Sequence, residues 1–278
     1  MRRRAGQSDV LSTVILITVI MVLSAIFMVF SMVQFGNEVS QSSIGYVVSF
    51  LTNVADDVDT FMFVPGAVLT YQLPNTNYGT YNFIESANAN CTVLVYTGLN
   101  QKLIDVASGE LIYGVPPNYF SLPPGEYSVW RGSTINGIPT SSFNDFSLIV
   151  SYKSSVLMGT SMAVLQFGYG NIDGINYGTY IVLVPRVMII NGTGPNGISY
   201  VYIPVLNLIS DQGRSKLIIS IRNISSQSVI LNNGEVKVSE ICYLGSYYGG
   251  DNYIKSSVVT VVGSTMYVTI VQIGIGFG

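Results

Sequence analysis

The chain opens with one uninterrupted apolar run and then alternates short apolar stretches with polar turn clusters. From Val10 to Asn37 no residue is charged. About 20 apolar residues at roughly 1.5 Å rise each cross the hydrocarbon core of a bilayer, so this run predicts a transmembrane helix over about residues 10–34. Its Leu, Ile, Val and Phe side chains each favour insertion by about 0.3–0.6 kcal/mol. The interspersed Ser12, Thr13, Thr18, Ser24 and Ser31 are tolerated because hydroxyls bond back to helix carbonyls. The helical rhythm continues past the apolar run. Ile44, Val47, Val48, Leu51, Val54 and Val58 recur at three- and four-residue steps, with Gln41, Ser49, Asn53, Asp56, Asp57 and Asp59 on other faces. The pattern predicts one helix over residues 7–62, apolar all round in its first half and amphipathic in its second. Gly36 allows a bend without ending it, and Pro65-Gly66 stops it.

Beyond residue 63 the period changes to that of strands. Runs such as TVLVYT (92–97), FSLIVSY (146–152), VLMGTSMAVLQF (156–167), YIVLVPRVMII (180–190), SYVYIPVLNLI (199–209), KLIISIR (216–222) and MYVTIVQIGI (266–275) are rich in β-branched and aromatic residues and separated by turn signals. Gly263-Ser264 reads as a tight hairpin between 257–262 and 266–275. Pro185 and Pro204 point to edges or bulges. About ten strands without helical periods between them predict an all-β, sandwich-like domain over 63–278. The segment 131–145 is the best place to divide it into two subdomains. The fold class is therefore α+β: a long N-terminal transmembrane and amphipathic helix, then an all-β extracytoplasmic head.

Charge sets the orientation. Arg2, Arg3 and Arg4 precede the apolar run and hold the N-terminus in the cytoplasm, leaving everything after Gln34 outside. A removable secretory signal is the poorer reading, because the apolar stretch is too long and Val33-Gln34-Phe35 offers no small-residue cleavage site. Without the three arginines the chain has 9 basic against 15 acidic residues, a net of −6, which disfavours nucleic acid as a partner. Charged residues are only 10% of the chain, against about 25% in ordinary soluble domains. Such a fold leans little on ion pairs, which suits an acidic exterior.

The short basic leader, Arg2-Arg3-Arg4, followed by Ala5-Gly6-Gln7-Ser8-Asp9 and then the apolar helix, resembles an archaeal class III (prepilin-type) signal peptide. The resemblance covers about the first 35 residues and is to archaeal type IV pilins. It implies removal of residues 1–6 by a prepilin peptidase, with Arg4, Ala5, Gly6 and Gln7 as the processing residues. The favoured bond is Gly6/Gln7, and Ala5/Gly6 is the alternative. It also implies that the helix stays on the mature chain and joins copies of itself or of other pilins in a filament. Assembly in that family uses an ATPase and a membrane platform protein. Ser8 and Asp9 would then stand at the helix start, as caps or as contacts to a neighbouring subunit's new α-amino group. The implied function is a structural subunit, major or minor pilin, of a cell-surface filament with a role such as adhesion. The alternative is a membrane-anchored β-domain that never polymerises and binds a sugar or an envelope partner.

Site chemistry is sparse. Histidine is absent, which excludes His bases and His-ligated metals, and no nucleophile–base–orienter set can be assembled, so no catalytic residue, metal site or cofactor is assigned. Cys91 and Cys242 either form one disulfide in an oxidising space or remain buried thiols. Asn90, Asn191 and Asn223 head N-glycosylation sequons, at a frequency that chance alone supplies. Gly192–Gly197 matches G-x-G-x-x-G but precedes a strand, so it reads as a turn. Asn171–Asn176 reads as an Asp-Gly hairpin rather than a calcium loop. Asp56, Asp57 and Asp59 read as a solvated face, with a cation site as the alternative.

Overall fold

The computed structural model describes residues 3–76, 78–85, 91–97, 101–132, 134–135, 138–139, 146–152, 161–192, 197–231, 236–247, 250–255 and 258–278; of 3–10, 33, 134–135, 138–139, 152 and 251–255 only the backbone is described. A single helix, α1 (Arg3–Phe61, 59 residues), leads into a mostly β head. It ends three residues short of Pro65, and Gly36 does not interrupt it. Thr18 and Ser43 return their hydroxyls to the carbonyls of Val14 and Val39, at 2.8 and 2.9 Å.

The strands in chain order are β1 (Val68–Gln72), β2 (Thr80–Ile84), β3 (Cys91–Thr97), β4 (Lys102–Ser108), β5 (Glu110–Val115), β6 (Tyr127–Arg131), β7 (Thr134–Ile135), β8 (Ile138–Pro139), β9 (Ile149–Tyr152) and β10 (Met162–Phe167). They continue with β11 (Gly170–Ile172), β12 (Ile175–Tyr177), β13 (Thr179–Pro185), β14 (Val187–Ile190), β15 (Ile198–Asp211), β16 (Lys216–Ile230), β17 (Val236–Tyr247), β18 (Gly250–Lys255), β19 (Val259–Val261) and β20 (Thr265–Phe277). A first sheet runs β1-β16-β20-β15-β14-β9, a second β2-β5-β13-β10-β6, and a third β12-β11-β17-β3-β4, with β18 and β19 also on β17 and a small β7–β8 pair apart. The pairs β15–β20 and β14–β9 are parallel, and the rest are antiparallel. Each large sheet takes strands from both sides of segment 131–145, so a cut there would separate paired strands in all three.

Three apolar layers hold these parts together. Val47, Leu51, Val54 and Val58 of α1 pack with Leu111, Tyr113 and Leu183 of the second sheet and Ile219, Ile273 and Phe277 of the first. Each such side chain gains about 1.5–3 kcal/mol over exposure. The other face of the second sheet, with Ile112, Leu165 and Val182, meets Cys242 and Leu244 of the third. Val93, Val95 and Val238 of the third sheet meet Val201, Ile203 and Val268 of the first. Burial on both faces explains why β10 and β13 read as near-continuous apolar runs, with Gln166 the one polar interruption in β10, instead of alternating ones.

Two sequence expectations change. Gly263-Ser264 is not a hairpin: β19 pairs with β17 in the third sheet, whereas β20 lies between β15 and β16 in the first. The turn moves the chain from one sheet to another, with Gly263 at φ 142° close against Gly197, where a Cβ would stand 2.5 Å from the Gly197 carbonyl oxygen. The run 180–190 is two strands in two sheets, broken at Arg186. Pro204 sits in β15 just past Tyr202, where pairing with β14 stops and no ladder donor is needed.

Candidate functional site: an exposed apolar rod latched to the head

Helix α1 passes through two environments. From Leu11 to Phe35 the large apolar side chains described, all but Val33, stand 48–72% exposed on every face. From Ser40 onward one face is buried, with Val47, Leu51 and Val54 fully so. A helix bare and apolar all round needs lipid or other helices about it, and this one is long and apolar enough to cross a membrane.

The head grips the far end of that helix through polar contacts. Asp56, Asp57 and Asp59 lie where negative charge opposes the helix dipole. Asp56 is solvent-exposed and Asp57 and Asp59 are partly buried, and all three accept hydrogen bonds from the head. The Arg131 guanidinium at the end of β6, 8% exposed, donates to Asp56 Oδ1 at 2.7 Å, Asp59 Oδ2 at 2.6 Å and the Met162 carbonyl at 2.6 Å. Asp59 Oδ1 accepts the Ser161 amide at 2.6 Å and its hydroxyl as well. Tyr71 of β1 donates its hydroxyl to Asp57 Oδ2 at 2.8 Å; burial and the Asp57 carboxylate both push the phenol pKa up. Three carboxylates on the last turns thus tie α1 to the first and second sheets.

A second cluster lies deeper. Cys91 of β3 and Cys242 of β17 face each other across the third sheet and are joined as a disulfide that closes a separation of 151 residues. Glu110, fully buried, places Oε1 3.3 Å from Cys91 Sγ, and its Oε2 has no hydrogen-bond partner among the described residues. Glu240, on the same strand and face as Cys242, accepts the Val187 amide at 3.1 Å, and its Oε1 is likewise without a partner. Desolvation raises both carboxyls to about 8; at Glu240 the Val187 amide and nearby Arg186 oppose the shift without cancelling it. Arg186 is itself buried and donates from Nε and Nη2 to the Ser147 carbonyl at 2.9 and 2.7 Å. Burial thus favours the neutral form of both glutamates.

The remaining sequence-designated residues fall as follows. Arg4, Ala5, Gly6, Gln7, Ser8 and Asp9 all lie on α1, which in the full chain starts at Arg3. Asn90 is outside the described residues. Asn191 is half-buried, with its Nδ2 donated to Ser151 Oγ at 2.8 Å. Asn223 is exposed on β16. Asp173 and Gly174 both take positive φ, at 51° and 80°, and close the β11–β12 hairpin.

Arg131, Ser161, Glu110 and Glu240 were not singled out in the sequence. One signal did exist. Val236, Val238, Glu240, Cys242 and Leu244 share one phase of an alternating strand, which puts a carboxyl on the inward face. No family model, curated protein or solved structure matches this chain.

Proposed function

We propose that this chain is a structural subunit of an archaeal type IV pilus-like surface filament, cut by a prepilin peptidase and polymerised through the first half of α1. The observation that carries the reading is the exposed apolar rod of residues 11–35, continuous with a helix half that is built into a folded head. Three arginines before that rod make the leader a switch. With them the helix is fixed in the bilayer by a cationic end; without them an almost uncharged helix exchanges lipid neighbours for sister helices. Cleavage at Gly6/Gln7 would bring the helix start to Ser8 and Asp9, where a hydroxyl or carboxylate meets free amides and the positive dipole end. The sandwich-like head would face outward, its latch keeping it in line with the rod.

The test is N-terminal sequencing of the native protein together with shearing of cells. A mature chain opening at Gln7 and recovered in sheared filaments is the expected result. Replacing Ala5 and Gly6 together should leave an unprocessed precursor in the membrane. A functioning surface protein that keeps Arg2–Arg4 and never leaves the membrane fraction would sink the filament reading and leave a tethered β-domain.

A further inference from the structure

Among the described residues the first sheet leaves one flank open. β1 pairs with β16 only from Lys216 to Ser220, and Ala67 and Gly66 extend the contact to Ile221. From Asn223 to Ile230, β16 pairs with β20 on one side and has no strand on the other among the described residues. Open edges are normally blunted by brevity, charge, proline or a covering element. The outer strands β1, β9, β2, β6, β12 and β4 run only three to seven residues. The open part of β16, Asn-Ile-Ser-Ser-Gln-Ser-Val-Ile, has neither charge nor proline, and six of its eight residues are exposed.

The sheet face beside that edge has the same character. Register aligns Ser228, Tyr267 and Tyr200 in one row and Ser226, Thr269 and Tyr202 in the next. Tyr200 stacks on Tyr267 at 5.7 Å and on Tyr202 at 6.3 Å, with the rings 18° and 8° from parallel. This is the face that α1 covers further along β20, at Val271 and Ile273. The helix ends before reaching these rows, and Phe63 packs edge-on against Tyr202 at 5.1 Å.

Charge selects the occupant. Outside the leader the chain carries a net −6, so two copies repel except where their surfaces are uncharged. An acidic or basic partner would require charged recognition groups, and these two rows and the edge beside them hold none. An open edge requires backbone donors and acceptors at strand spacing, which a second β16 supplies. Antiparallel pairing centred near Ser226 and Gln227 sets serine against serine and merges two six-stranded sheets. We propose that the Asn223–Ile230 edge, with its tyrosine face, joins two copies of this chain edge to edge. The proposal rests on sheet geometry and stands whether or not the chain forms filaments.

Sedimentation velocity of the full chain in mild detergent tests it. The wild-type chain should dimerise, and the Ser226→Lys/Ser228→Lys double variant, at two exposed positions, should weaken association at least tenfold with its near-ultraviolet tyrosine dichroism intact. Gln227→Cys should give a covalent dimer on mild oxidation, and adding the two lysines should abolish it. A wild-type chain that stays monomeric overturns the proposal, as does a dimer of unchanged affinity in the lysine variant, which would place association on α1. Retention of a monomer on immobilised polysaccharide, lost in the lysine variant, would make the face a ligand site instead. A glycan on Asn223 of the native protein would cap the edge and also refute the proposal.

Discussion

The two buried glutamates make the head's stability depend on pH in an uncommon direction. Each carboxyl has its pKa raised from 4.5 to about 8 by burial. Below pH 4.5 folded and unfolded chains are both protonated, and the fold keeps its full stability. As pH climbs from 4.5 towards 8, the unfolded chain releases protons that the folded chain retains, so stability falls throughout that window. One pKa unit is worth about 1.4 kcal/mol, so a shift of about 3.5 units amounts to about 5 kcal/mol per glutamate above pH 8. Two such terms compare with a whole domain's stability of about 5–15 kcal/mol. The assay is urea unfolding of the full chain in detergent from pH 4 to pH 9, followed by tyrosine dichroism of the head. The midpoint should be highest near pH 4 and fall steadily from about pH 5 to pH 8. Glu110→Gln and Glu240→Gln should each remove part of the slope, and the double variant most of it. A midpoint flat or rising between pH 5 and 8, or a slope untouched in the double variant, refutes the reasoning.

Other consequences follow from single side chains. Arg131→Met strands Asp59 against Ser161 and should cost about 3–5 kcal/mol, read as a lowered head melting temperature. Cys91→Ala/Cys242→Ala opens a closure spanning 151 residues and should cost about 2–5 kcal/mol in the same assay. Leu51→Ala leaves a cavity where α1 meets the first two sheets and should cost about 2–5 kcal/mol, whereas Leu23→Ala, on the exposed rod, should leave the head's unfolding midpoint unchanged.

The helix was legible because its signals are local. Ile44, Val47, Val48, Leu51, Val54 and Val58 announced the buried face by spacing alone, and that face is what α1 buries. Strands rich in β-branched and aromatic residues, such as β13 and β20, were legible for the same reason. β17 and β5 were not, because Glu240 and Glu110 occupy inward positions that a charge normally avoids, and the polar residue masks the alternation. The latch was hidden because it joins residues up to 102 positions apart, as between Asp59 and Ser161. No local period reports such a pairing, and the three carboxylates read from sequence as a solvated face for that reason. Sheet membership was hidden likewise: Gly263-Ser264 has the chemistry of a hairpin turn, and only the long-range partners of β19 and β20 send its two flanks apart.

Because a single unbroken helix belongs both to the rod and to the head's interior, the molecule has no swivel between them. A pull along the rod reaches the sheets as shear, resisted at once by the Val47–Leu51–Val54 seam and by the grip of Arg131 on Asp56 and Asp59. The direction in which each head points is inherited from its stem. Any array of stems would therefore fix the tilt and spacing of everything displayed at its surface.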